Sequence, residues 1–261
     1  VEIMSKPELV DTHCHLYLDD FKENLTEIMA RAEDEGIKRI YMPSLDSTHL
    51  QAMWELEKNY PGRCFSMIGI HPTYVKDNYR QELEIMKKCL EQRKFAAVGE
   101  IGLDYYWSRE FDNYQMDCFV EQVKMAKKYG LPIVIHSRNS MEDTLKVLQD
   151  EKGPGLYGIF HCFTGTIENA KDILACGLVL GIGGVVTYKN AGLAEVVAQV
   201  PLDKIVLETD APFLTPVPFR GKRNESSYLQ YIVKKIAEVK GVTEEEVAAV
   251  TTENALSVFG R

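Results

Sequence analysis

The stretch Ile-Val-Ile-His-Ser-Arg, residues 133–138, decides the fold. Its apolar half shows no polar alternation, which is how a strand covered on both faces reads. Histidine and arginine follow at once, so the strand runs out of a core into a polar edge. Upstream, residues 113–129 carry a helical pattern that ends in Lys127 and Lys128 and stops at Gly130. Cations in the last turn with glycine just beyond it mark a helix C-terminus. A helix, a short connection and a buried strand make part of a βαβ unit.

The unit recurs along the chain. Apolar runs lie at 9–12, 37–42, 64–70, 95–99, 132–135, 156–160, 178–182 and 204–207, eight in all. Residues 20–35 place Phe21, Leu25, Ile28, Met29 and Ala32 on a helical stripe, with Asp20 and Glu23 spaced for a capping box and Gly36 for the stop. Thr243 with Glu246 predicts an additional C-terminal helix. Strands alternating with helices over short connections imply a parallel sheet. Eight such units in 261 residues predict a closed (β/α)8 TIM barrel of the α/β class, which needs about 250 residues. The expectation is a single domain over residues 1–261. An open doubly wound sheet is the poorer match, because Gly-Ile-Gly-Gly at 181–184 lacks the GxGxxG spacing. The proline-bearing segment 211–224 reads as an ordered loop after the last strand.

A formal net charge of -9 excludes a surface built to coat nucleic acid. It does not exclude a nucleic-acid enzyme, since bound divalent cations and a few arginines can reverse the field inside a cleft. The six cysteines form no CxxC pair and sit mostly in apolar stretches, which predicts reduced thiols in a reducing compartment. The first residues do not read as a secretory signal, and no apolar run approaches a membrane span of about 18 residues. The expectation is a cytoplasmic monomer with no membrane association.

The ionisable residues are placed unevenly. His13 and His15 end the first predicted strand, His71 follows the third, Glu100 the fourth, His136 ends the fifth, His161 the sixth, and Asp210 follows the eighth. Five of the six histidines therefore sit at strand carboxyl ends, with His49 the exception. In a barrel those ends converge on the face where active sites are built. A lone histidine there is commonly a hydrogen-bonded structural residue, but five with carboxylates point to metal. Imidazole with carboxylate suits zinc, manganese, iron or cobalt, and magnesium where oxygens dominate. In His13-Cys14-His15 the alternation of a strand sends both rings to one side and the thiol to the other. The two rings can chelate one ion, His136 and His161 on neighbouring strands a second, and a strand-four carboxylate can bridge them. Two ions roughly 3.5–4 Å apart would activate a water and clamp an oxygen-rich transition state.

The chain resembles the TatD family of metal-dependent deoxyribonucleases, within the wider amidohydrolase-like barrels. The resemblance rests on "DTHCHL" at 11–16, "GIHP" at 69–72, "GEIGLDYY" at 99–106, "IHSR" at 135–138, "FHCFTG" at 160–165, "ETDAPFLTP" at 208–216 and "RGKRNE" at 220–225. It implies that His13, His15, Glu100 and Asp210 hold one metal and that Glu100, His136 and His161 hold the other. It implies two divalent ions per chain (Mg, Mn or Zn) and hydrolysis of DNA phosphodiesters, removing nucleotides from 3′ ends of single strands. Asp210 would also take the proton of the attacking water, with Glu100 the other catalytic carboxylate. The chain departs from the family pattern at Thr73, at Asn139-Ser140 and at Ser226, positions that bear on substrate contacts and not on the proposed ligands.

Arg138, Arg220 and Arg223 are expected to contact substrate phosphates, because guanidinium binds phosphate through a fork of N–H donors. Of Tyr105, Tyr106 and Trp107, one is expected to stack on an unpaired base, and Tyr105 is the candidate; the others read as wall packing. His71 is expected to shape the pocket or touch a phosphate, not to hold metal. Asp104 and Glu208 are candidates to orient histidines. Cys14 and Cys162 are expected to face the helices, and Asp46 and His49 read as capping and surface residues. Two rival readings are an amide, lactone or small-ester hydrolase on the same barrel, and a non-catalytic metal or nucleic-acid binder.

Overall fold

A computed structural model describes residues 5–260. Its strands are β1 (Leu9–Asp11), β2 (Ile37–Met42), β3 (Cys64–Ser66), β4 (Val98–Asp104), β5 (Ile133–Arg138), β6 (Gly158–Phe160), β7 (Leu178–Ile182) and β8 (Ile205–Leu207), with helices between successive strands. Each ladder is parallel and joins sequence neighbours, β1-β2-β3 and β4-β5-β6-β7-β8. The two seams are bridged by hydrogen bonds. Ile68 N–H donates to Ala97 O at 3.1 Å and Gly99 N–H to Ile68 O at 2.9 Å, joining the β3 and β4 edges. Thr12 N–H donates to Leu207 O at 3.0 Å and His15 N–H to Ala211 O at 2.9 Å, joining β1 to β8. The sheet is thereby closed, as the eight apolar runs imply.

Three local expectations need correction. β1 stops at Asp11, so His13 and His15 lie past the strand and not at its end. The fourth strand starts and ends later than the apolar run 95–99, so Glu100 lies inside β4. Asp20 and Glu23 form no capping box: Asp19–Asn24 winds as a 3-10 turn, and the helix is Leu25–Asp34. The stop at Gly130, in the left-handed region at φ 65°, and the Thr243 cap on Glu246 N–H are as the sequence reads.

The barrel interior is filled by one apolar layer. Val10, Tyr41, Met67, Ala97, Val134, Ile159 and Val206 meet there, joined by Ala255 of the C-terminal helix Glu244–Phe259. Phe259 stacks on Tyr41 with ring centroids 3.8 Å apart. Thr252 and Asn254 donate to the carbonyls of Glu8, Leu202 and Ile205, which precede or open strands. The additional helix therefore plugs the amino-terminal mouth, leaving the carboxyl-terminal mouth open. No helix among the described residues is long and apolar enough to cross a membrane.

Asp11 locks the seam between β1 and β8. Fully buried, it accepts from His13 N–H (3.2 Å), Thr209 N–H (3.0 Å), Thr209 Oγ1 (2.6 Å) and Ser226 Oγ (2.7 Å). Burial pushes its carboxyl up to about 6, against those four hydrogen bonds. Asp11→Ala would strand two buried backbone N–H groups at about 1–3 kcal/mol each. A loss near 3 kcal/mol is expected, read as a melting temperature about 6–12 °C lower; an unchanged melting curve would contradict this role.

Candidate metal centre

The bulge in β4 sets the centre. Pairing runs Gly99 to Val134 and then Ile101 to Ile135, so Glu100 is an extra residue with no partner in the register. A bulge re-aims a side chain, and here the carboxylate turns into the mouth. Ser44, just past β2, pins it: Glu100 N–H donates to Ser44 O at 3.2 Å, and Ser44 N–H donates to Gly99 O at 3.1 Å.

Five histidines and Asp210 surround that carboxylate. Oε2 lies 3.1 Å from His13 Nε2 and 3.5 Å from His15 Nε2. Oε1 lies 3.1 Å from His136 Nδ1, 3.3 Å from His71 Nε2 and 3.4 Å from His161 Nε2. Asp210 closes the Oε2 end, with Oδ1 at 3.2 Å from His15 Nε2 and 3.4 Å from His13 Nε2. Among the described residues three sets bring ligand atoms within 4.8 Å of one another: His13, His15 and Asp210; His13, Glu100 and His161; His71, Glu100 and His136. The expected residues are thus together, with two differences of arrangement. His161 lies between the two ends, its ring stacked on His13 at 3.4 Å, and His71 falls into the set of His136.

The histidines are oriented from behind. Tyr17 OH donates its single proton to Pro43 O at 2.6 Å, so at 2.9 Å it must accept from His15 Nδ1–H. That leaves the His15 Nε2 lone pair facing the centre. Glu208, a pure acceptor when ionised, takes His161 Nδ1–H at 3.0 Å and also the Cys162 N–H at 2.8 Å. Asp104 takes His136 Nε2–H at 2.7 Å, leaving Nδ1 toward Glu100. Gly181 makes room for this: a Cβ there would sit 2.4 Å from Glu208 Oε2. Glu208 and Asp104 are the orienting residues the sequence left open. Tyr17 and Ser44 carry no signal that sequence reasoning used, Thr73 stood out only as a departure from the family pattern, and Asp11 stood unassigned inside "DTHCHL".

The electrostatics follow from burial and neighbours. Burial alone would raise Glu100, yet the charges of His71, His13 and His161 outweigh it and hold the carboxyl well below its usual range. Asp210 is likewise lowered against burial, by His161 and by its hydrogen bond to His15. Burial would lower His161, but Glu208, Glu100 and Asp210 push it up to about 10. Burial, aided by His161, lowers His13. Glu100, Asp210 and the imidazoles gathered around them are a donor set for divalent cations. A cation and a proton compete for the same lone pairs. The buried His13 Nδ1 has no hydrogen-bond partner; its ring is held by the stack on His161.

A cleft of about 560 Å³ opens above the centre, lined by His71, Arg138, Cys162, Trp107 and Phe213 as well as His15, Glu100, His136, His161 and Asp210. Arg138 lies over the Tyr106 ring at 3.6 Å and beside Trp107 at 5.5 Å. Of the residues expected at substrate, Arg138 and His71 reach this lining and three do not. Tyr105 donates to Asp143 at 2.7 Å, behind the wall. Arg223 donates to Asp20 O and Asn24 at 2.7 and 3.0 Å, and Arg220 lies over Tyr188 at 4.1 Å. The most exposed aromatics lining the cleft are Trp107, 71% exposed, and Phe213, 52% exposed. Cys14 is fully buried in the core as expected. Cys162 departs from strand alternation because its backbone turns left-handed at φ 47°, which brings it to the cleft. Asp46 caps the turn at Thr48 as read, and His49 folds back onto it at 2.9 Å.

The family model described as TatD related DNase matches residues 10–260. The chain belongs to the TatD family of metal-dependent hydrolases. It is 40% identical over 252 residues to the uncharacterised metal-dependent hydrolase YabD of Bacillus subtilis, covering 96% of this chain and 98% of that protein. It is 33% identical over 255 residues to YcfH of Escherichia coli K12, another uncharacterised metal-dependent hydrolase, covering 96% and 95%. The crystal structure of the TatD homologue YjjV from E. coli K12 superposes with a TM-score of 0.91 at 28% identity, covering 97% of this chain and 98% of that one. The bulged glutamate and its histidines are the candidate metal-holding cluster of this TatD-family chain.

Tyr17 gives a prediction of its own. Tyr17→Phe frees the His15 tautomer, and removing such a partner weakens metal affinity about 10–100-fold. Titration calorimetry should show one class of site weakened and the other unchanged.

Proposed function

We propose that this TatD-family protein is a two-metal 3′-5′ exodeoxyribonuclease of single-stranded DNA, acting as a cytoplasmic monomer folded as one domain. The observation that carries the reading is Glu100, whose two oxygens face different sets of ring nitrogens. His13, His15 and Asp210 would hold one divalent ion with Glu100, and His136 and His161 the other. Such ions supply Lewis acidity: they lower the pKa of water and offset charge on a phosphoryl group.

The chain's own groups do the rest. Asp210, held ionised by His161 and His15, accepts a proton from the attacking water. The water oxygen bonds to phosphorus, the P–O3′ bond breaks, and a 5′-mononucleotide leaves. Arg138, braced on Tyr106, offers its guanidinium to phosphate oxygens, and Trp107 offers a face on which an unpaired base stacks. A cleft of about 560 Å³ is of the size that takes a small ligand, which favours a strand end over a duplex.

The test is release of mononucleotides from end-labelled single-stranded and duplex oligonucleotides with Mg²⁺, Mn²⁺ or Zn²⁺ supplied separately. Metal-loaded protein that releases nothing, or that turns over lactones or dipeptides faster, returns the protein to the amide, lactone or small-ester reading.

A further inference from the structure

We propose that His71 is a hydrogen-bond donor to the departing oxygen of the substrate and not a metal ligand, an inference that rests on the phosphodiesterase reading. Its distance alone would make it a ligand, since Nε2 lies 3.3 Å from Glu100 Oε1 in one set with His136. The hydrogen bonds behind the ring decide otherwise. The backbone N–H of Thr73 donates to His71 Nδ1 at 3.1 Å, and the Thr73 hydroxyl reaches the same atom at 2.8 Å. A backbone amide can only donate, so Nδ1 carries a lone pair. An imidazolium would have no such lone pair, and a neutral ring must then keep its one proton on Nε2. His15, His136 and His161 are partnered in the opposite sense, by acceptors, and present lone pairs inward. His71 is thus held by donors at its outer nitrogen, whereas those three are held by acceptors there and can turn a lone pair to an ion.

Its position fits the reaction. Asp210 stands with His13 and His15 at the Oε2 end of Glu100, and His71 at the Oε1 end with His136. In an in-line displacement the attacking and leaving oxygens lie on opposite sides of phosphorus. With the water deprotonated on the Asp210 side, O3′ departs on the His71 side. The water proton passes to Asp210 and on to solvent. The electron pair of the P–O3′ bond stays on O3′, whose growing charge is met by His71 Nε2–H and which takes its proton from solvent. His71 keeps its own proton throughout. A donor preorganised at a developing oxyanion contributes about 10²–10³-fold when removed.

The experiment compares wild-type protein with His71→Ala and His71→Gln, the latter able to place an amide donor near the lost Nε2. Bound ions are counted by elemental analysis and affinities by calorimetry. Turnover is measured on a thymidine oligonucleotide and on the p-nitrophenyl ester of thymidine 5′-phosphate, whose departing oxygen needs no hydrogen bond. The expected result is unchanged ion content and affinity in both variants. Oligonucleotide turnover should fall about 10²-fold in His71→Ala, recover in part in His71→Gln, and fall much less on the ester. Fewer or weaker ions in either variant would make His71 a ligand or a brace for Glu100, and equal losses on both substrates would place it away from the leaving oxygen; each overturns the inference alone. Wild-type protein inactive on both substrates overturns the phosphodiesterase reading, and this inference with it.

Discussion

Asp210→Asn is expected to lower oligonucleotide turnover at saturating metal by about 10²–10⁴-fold, the range for loss of a general base. The side chain keeps an oxygen for the ion and its shape, so the variant separates the two roles of this residue. Asp210 is the one carboxylate of the cluster with part of its side chain open to the cleft, 14% against 2% for Glu100. Only there can a water reach a carboxylate oxygen that also faces His13 and His15. Its backbone makes this possible. Asp210 adopts φ 57°, a left-handed conformation that aspartate tolerates better than most residues. Its amide donates to His13 O at 2.8 Å, so the carboxylate is aimed from the same seam that carries the ligand histidines. Metal titration should show modest weakening with the ion count retained, and kcat should carry the loss. A variant with kcat intact, or one that loses ions in proportion to activity, would assign Asp210 to metal holding alone.

The barrel, and the gathering of histidines and carboxylates at its mouth, were legible in the sequence because both obey strong local rules. A strand covered on both faces is an unbroken apolar run, and a histidine at its end announces the mouth, as at Ile135-His136 and Phe160-His161. The bulge at Glu100 was not legible, since the register depends on β5 and on Ser44, neither near it in the chain. The orienting partners were partly legible: Asp104 and Glu208 stand near the motifs, but their use depends on where a ring turns. Tyr17 and Thr73 are two residues past a histidine and look like ordinary loop residues until their partners are placed. The basic run 220–223 misled for a physical reason. A long cation goes to the nearest acceptor or ring face, and Arg223 found Asp20 O and Asn24 while Arg220 found Tyr188. Tyr105 likewise found Asp143, leaving Trp107 and Phe213 as the exposed rings at the cleft.

Glu100→Gln should have the largest effect of any single change, because one carboxylate serves both ends of the centre. The glutamate offers an acceptor at each oxygen, Oε2 to His13 and His15, Oε1 to His136 and His161. Glutamine keeps an acceptor at one end only and turns an N–H₂ donor to the other, where lone pairs must meet an ion. Either amide orientation abolishes one site, and removal of the negative charge weakens the site that remains. Turnover should become undetectable, a greater loss than for Asp210→Asn. The fold should persist, since the bulge is held by main-chain bonds to Ser44 that the substitution does not touch. Calorimetric melting checks this without reference to activity. An ion at about one hundred times its Kd stabilises a protein by about 2.7 kcal/mol, or about 5–10 °C for a chain of this length. The wild-type chain should show that rise and Glu100→Gln should lose most of it at the same ion concentration. A variant that melts as the wild type does, with and without metal, would show that Glu100 bridges nothing. The two-ion reading would then fall back to a single ion held by His13, His15 and Asp210.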